Sequence, residues 1–140
     1  MKAIVYGTPI PQGSSKGFPI RRKNGKIGVS ITAANPKTHS YRQNIAQTCS
    51  VAIQESPETG FPAPRGVGIE LSIVFVVAKP QSAPKRVLLP TKKPDLDKLC
   101  RSIGDSLTGI WFEDDSQIVS LKATKVFGSP ERTEIECHLV

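Results

Sequence analysis

The sequence predicts a single α+β domain, a mixed β-sheet carrying two main helices. Three observations lead there. The chain has 140 residues, a size at which a domain buries roughly two thirds of its unfolded surface and owns a core without staples. Strand-like runs outnumber helical ones, and the clearest, 67–78, begins by alternating and ends continuously apolar, as a strand covered on both faces does. Only two segments, 38–55 and 97–108, carry apolar residues at helical spacing. No internal repeat and no second domain is visible.

Taken in order, residues 2–7 form the first strand, and Pro9, Pro11 and Gly13 then break regular structure. Residues 19–32 are predicted as a hairpin around Asn24-Gly25, a pair suited to the positive φ angles of a type I′ turn. Asn35 or Thr38 caps the first helix, which runs to about Glu55 with Tyr41, Ile45, Thr48, Ala52 and the nearby Val51 as its buried stripe and Arg42 pointing away. Residues 57–68 form a surface connection. A basic, proline-containing stretch, 79–93, is expected to be flexible. The second helix, with Asp97 as N-cap, ends at Gly109, and 117–127 with 133–139 are predicted as a final hairpin around Gly128-Ser129-Pro130.

Composition narrows the function. No apolar run approaches the ~20 residues of a membrane helix and the amino terminus lacks a signal-peptide core, so the expected setting is the cytoplasm. Cys49, Cys100 and Cys137 are odd in number and widely spaced, and read as reduced packing residues. His39 and His138 have no metal-ligand spacing, and Ser14 and Ser15 lack the partners of a nucleophile. The formal charge is +7, and no acid occurs before Glu55, leaving eight Lys and Arg unopposed. Such a field attracts polyanions, nucleic acid first among them.

Against that background all five aspartates fall within the 21 residues from Asp95 to Asp115: Asp95, Asp97, Asp105, Asp114 and Asp115, with Glu113 beside the last two. Crowded carboxylates repel, and a divalent cation removes that cost; hard oxygen donors suit Mg²⁺ or Mn²⁺. Asp95 and Asp97 face one point if the chain enters extended after Pro94. Asp97, Arg101 and Asp105 then share one helix face, opposite Leu99, Ile103 and Leu107. Trp111 and Phe112 anchor the return that brings Glu113, Asp114 and Asp115 back to the helix start. The site so formed is expected to hold one or two metal ions over a phosphate, with Arg101 or Lys98 stabilising developing charge. Singly, the same acids also read as a helix cap, a partner for Arg101 and a solvated turn.

The stretch from Lys93-Pro94-Asp95-Leu96-Asp97 to Gly109, followed by Trp111-Phe112-Glu113-Asp114-Asp115-Ser116-Gln117-Ile118-Val119, resembles the RusA family of Holliday junction resolvases, often carried by phages. The family pattern runs D-x-D-N-L-x-K, a later D-x-L, then D-D-x-Q-V. The likeness extends more loosely to the proline-rich loop before Lys16, the basic hairpin and Tyr41-Arg42. It implies a homodimeric, Mg²⁺-dependent endonuclease, with Mn²⁺ as a substitute and no small-molecule cofactor, that makes paired symmetrical nicks in four-way DNA junctions in a bacterial or phage-infected cell. Asp95, Asp97 and Asp115 match its essential metal-binding acids, and Asp114 and Asp105 match further acids of the pattern. The chain departs at Lys98, where the pattern has Asn, and at Arg101, where it has Lys; a guanidinium keeps the charge but is planar and bulkier. On this reading Lys16, Arg21, Arg22, Lys23, Arg42, Lys92, Lys93 and Lys98 contact DNA, and Phe18 either wedges an opened base or packs locally. The alternatives are a branched-DNA-binding protein without catalysis, or a metal nuclease acting on flaps, forks or RNA.

Overall fold

A computed structural model describes residues 1–13, 16–32, 36–55 and 60–140, with the backbone alone at 16, 18 and 30–32. Asn35 and the Ser14-Ser15 pair lie outside the described residues, as do the side chains of Lys16 and Phe18. The elements are β1 (Lys2–Tyr6), β2 (Lys16–Arg21), β3 (Ile27–Thr32), α1 (Lys37–Glu55), β4 (Ile69–Val77), α2 (Leu96–Leu107), a 3-10 turn at Asp115–Gln117, β5 (Ile118–Phe127) and β6 (Arg132–Leu139). The α+β class, the mixed sheet and the two helices match the sequence reading.

The main sheet has the order β1-β6-β4-β5, with β4 parallel to β5 and antiparallel to β6. The final hairpin predicted from sequence is therefore incorrect, because β4 lies between its two arms. The apolar character of β4 explains this. Ile69, Leu71, Ile73, Phe75, Val76 and Val77 are all buried, and a strand this apolar is stable only in the middle of a sheet with a partner on each side. The 128–131 connection crosses the end of β4, where the Gly128 amide donates to Val77 O at 3.0 Å. A Cβ on Gly128 would stand 2.7 Å from Val76 Cγ1, so the crossing needs glycine.

On the face carrying Leu71, Ile73, Phe75, Ile135 and Cys137, the sheet packs with Ile45 and Cys49 of α1 and Leu99, Ile103 and Leu107 of α2 into one core. Glu70, Glu134 and Glu136 alternate with these residues and so point from the opposite face. In α1 the buried residues are Thr38, Tyr41, Ile45 and Cys49. Cys49 replaces the expected Val51, which is 41% exposed, since a stripe at four-residue steps passes through 41, 45 and 49 and leaves 51 on the flank.

Two local expectations also change. The β2–β3 hairpin (Lys16–Arg21 with Ile27–Thr32) is a separate two-stranded sheet, but only Gly25 at its tip has positive φ. The Gly25 amide donates to Arg22 O and the Arg22 amide to Lys26 O, each at 2.9 Å, a three-residue loop of turn plus bulge in place of type I′. The 79–93 stretch, expected to be flexible, is folded into successive turns, with Ala83 N to Pro80 O at 2.9 Å and Val87 N to Pro84 O at 3.0 Å. Lys79 donates to Lys85 O at 3.3 Å and lies over the Phe127 ring. No helix among the described residues is long and apolar enough to cross a membrane.

Candidate active site

The amphipathic second helix and the return behind it build one cleft. Leu99, Ile103 and Leu107 are fully buried on the core side of α2, which leaves Asp97, Arg101 and Asp105 on its outer side. That side faces an open cleft of about 790 Å³, closed below by Ile118, Leu121 and Ala123 of β5 and joined by Asp115. The acid turn packs beside Gly104, where a Cβ would meet Ile118 Cδ1 at 3.8 Å and Asp115 Cβ at 3.9 Å, both ordinary van der Waals contacts.

Two buried aromatic residues bring the turn back. Trp111 and Phe112 are fully buried, the Trp111 indole donates to Cys49 O at 3.0 Å, and Gly109, at φ 79, allows the reversal. Gln117 then shapes the turn. Its amide oxygen accepts from Glu113 N and Asp114 N, both at 3.0 Å, while its amide nitrogen donates to Pro64 O at 2.8 Å and Val67 O at 2.9 Å. No role was assigned to Gln117 from sequence; its signal was a polar residue at a fixed step after two aspartates, and its burial shows only in three dimensions.

The acids divide by environment. Asp97 and Asp115 are exposed and have no hydrogen-bond or ion-pair partner for their carboxylates among the described residues. Asp95 is the N-cap residue of α2, one position before Leu96, and makes no side-chain cap bond. The expected N-cap, Asp97, is therefore already inside the first turn: Pro94 excludes helix at Lys93 but not at Leu96. Asp95 instead meets Lys98 at 3.3 Å and does not line the cleft. Asp114 accepts from Ser116 N at 2.9 Å in a capping box with Gln117, and the Ser116 side chain first, then that backbone amide, with a smaller contribution from Arg65, hold its carboxyl below the usual range. Glu113 pairs with Arg65 at 3.0 Å.

The cations divide similarly. Asp105 meets Arg42 of α1 at 3.9 Å, which corrects the expected pairing with Arg101; Arg101 is exposed in the cleft with no partner among the described residues. Arg21, Arg22 and Lys23 are exposed on the hairpin, and Lys92 and Lys93 are exposed ahead of α2. Cys100 also lines the cleft; burial, and then the charge of Asp97, push its thiol upward. His39 is exposed, and His138 meets Glu136 at 2.8 Å.

Among the described residues no three acidic, histidine or cysteine side chains are gathered tightly enough to hold a metal ion by themselves. The donor chemistry nevertheless fits a hard divalent ion, because Asp97 and Asp115 present unpaired oxygens to one cleft from two elements. Mg²⁺ is commonly held by one or two carboxylates and completes its shell with water and substrate phosphate.

Comparison with known proteins shows the family of the chain. The family profile described as Endodeoxyribonuclease RusA matches residues 7–138. The Uncharacterized protein YqaN of Bacillus subtilis (strain 168) is 32% identical over 141 residues, covering 96% of this chain and 93% of that protein. The Crossover junction endodeoxyribonuclease rusA of Lactococcus phage r1t is 38% identical over 73 residues, about half of each chain at 51% and 55%.

Proposed function

Because the chain belongs to the RusA family of endodeoxyribonucleases, enzymes that hydrolyse phosphodiester bonds in DNA, we propose that it resolves four-way junctions by paired symmetrical nicks during recombination and repair. It does so as a homodimer with Mg²⁺, or Mn²⁺ in its place, in the cytoplasm of a bacterial or phage-infected cell. The observation that carries this reading is that Asp97, Arg101 and Asp115, from two elements, line one cleft and have no ion-pair partners among the described residues.

Asp97 and Asp115 are the residues to hold the metal, with Asp95 and Asp114 beside them once Lys98 and the Ser116 amide are displaced. When bound, such an ion polarises the phosphate and lowers the pKa of an attacking water. Arg101 donates to a non-bridging phosphate oxygen, countering the charge that builds on phosphorus. Affinity comes from phosphate contacts by Lys16, Arg21, Arg22, Lys23, Lys92 and Lys93, with Arg42 and Lys98 beside Asp105 and Asp95, and falls steeply with salt. A two-fold dimer supplies two such clefts, as symmetrical cutting requires.

The test is cleavage of a synthetic four-way junction in Mg²⁺, Ca²⁺ or EDTA by the wild type and Asp97→Asn. Paired nicks in Mg²⁺ alone are expected. Asp97→Asn should lose cleavage by about a hundredfold or more yet bind the junction equally or more tightly, since one negative charge near phosphate is gone. A junction bound tightly but left intact in Mg²⁺ and Mn²⁺ would make the protein a binding module; preference for flaps, forks or RNA would move the substrate.

A further inference from the structure

Lys125 lies in the second half of β5, opposite Phe75 of β4, and is half-buried. Its ammonium group donates to Lys92 O at 2.6 Å and to Pro94 O at 2.7 Å. These are the only hydrogen bonds that tie residues 92–94 to the sheet among the described residues. The segment it grips runs directly into Asp95 and Asp97, while the strand that carries it begins at Ile118, one residue after the turn that holds Asp115. One strand thus carries one group of acids at its entry and holds the other in place further along.

We propose that Lys125 is a positioning residue for the carboxylates and not a DNA contact; this rests on the metal-dependent nuclease reading above. Two of its three donors are used on carbonyls in charge-assisted bonds, so little is left to offer a phosphate, in contrast to the exposed Lys92 and Lys93 on the same segment. Without these bonds the last residues of the 79–94 loop reach α2 with no tie to the sheet. Asp95 and Asp97 then move relative to Asp115. Constellations that bind an ion and a reacting phosphate tolerate displacements of only about 0.5 Å, and loss of a residue that orients ligands without touching the metal typically costs ten- to a hundredfold in metal affinity.

The test compares the full-length wild type with Lys125→Met, which keeps the length and loses the donors, and with Lys125→Arg, which can still bridge two carbonyls. Lys125→Met should need about tenfold more Mg²⁺ for half-maximal junction cleavage, and Mn²⁺ in the absence of DNA should raise its thermal midpoint less than that of the wild type. Lys125→Arg should recover most of both effects. The dependence of log binding constant on log salt, measured in EDTA, should keep its slope, whereas losing a phosphate-contacting lysine lowers it by about 1. An unchanged metal requirement overturns the proposal, and so does a slope lowered by about 1. Where Lys125→Met does not fold, Lys125→Gln, which retains one donor, serves for the same comparison. A wild type that shows neither metal-dependent cleavage nor a metal-induced thermal shift would instead overturn the nuclease reading itself.

Discussion

Arg101 and Asp105 illustrate how a residue's role depends on what surrounds its helix. Their four-residue spacing makes them natural partners along α2, but an exposed pair of this kind contributes only a few tenths of a kcal/mol. Arg42 of α1 stands 3.9 Å from Asp105 instead, and Arg101 is left facing the cleft. An unpaired guanidinium beside two unpaired carboxylates is suited to a phosphate. Arg101→Ala is therefore expected to slow single-turnover cleavage of a junction by about a hundredfold. Arg101→Lys, which keeps the charge and loses the planar fork, should stay within about tenfold of the wild type. Undiminished cleavage by Arg101→Ala would remove this side chain from the reaction. The sequence showed the charge and the helix face at once; it could not show which acid would be free to neutralise that charge.

Among the elements, the acid turn is the most closely specified. Trp111 and Phe112 were legible as anchors because large aromatic residues after a helix-ending glycine have to be buried somewhere. Gln117 was not, since its side chain joins the Glu113 and Asp114 amides to the Pro64 and Val67 carbonyls, about fifty residues away in sequence. Gln117→Leu would strand these groups, and each buried unsatisfied group costs about 1–3 kcal/mol. We expect urea denaturation to show a loss of at least that size, with junction cleavage falling more than junction binding because Asp115 follows the same turn. Full stability with normal cleavage would mean the turn holds its shape without the amide. The start of α2 carries a similar lesson: Pro94 limited where the helix could begin, yet the choice of Asp95 over Asp97 as N-cap residue was made within the folded segment.

At the scale of the whole molecule, the core joins both helices to one sheet face, and its buried titratable groups report on that packing. Burial pushes Tyr41 up to about 12 from 10.0 and Cys49 up to about 12 from 9.0. Both stay protonated in the folded protein at a pH where the unfolded chain has released its protons. Their contribution is thus fully present below about pH 9 and is lost as pH rises from about 9 toward 12. Urea midpoints measured at pH 8, 10 and 11 should fall progressively over the last two steps; a flat profile would mean that Tyr41 and Cys49 are not sealed in the core. By itself the sequence determined the chemistry: which residues are acids, the basic surroundings that suit a polyanion, the family likeness in 93–119, and most element positions, because periodicity and turn residues act over short range. Only the tertiary structure decided that β4 lies between β5 and β6, that Arg42 and not Arg101 meets Asp105, that Asp97 and Asp115 share a cleft which Asp95 does not line, and that Lys125 grips the entry to α2. Those outcomes depend on contacts between residues far apart in the chain, and contacts of that kind are selected by the packing of the whole core, which no local pattern encodes.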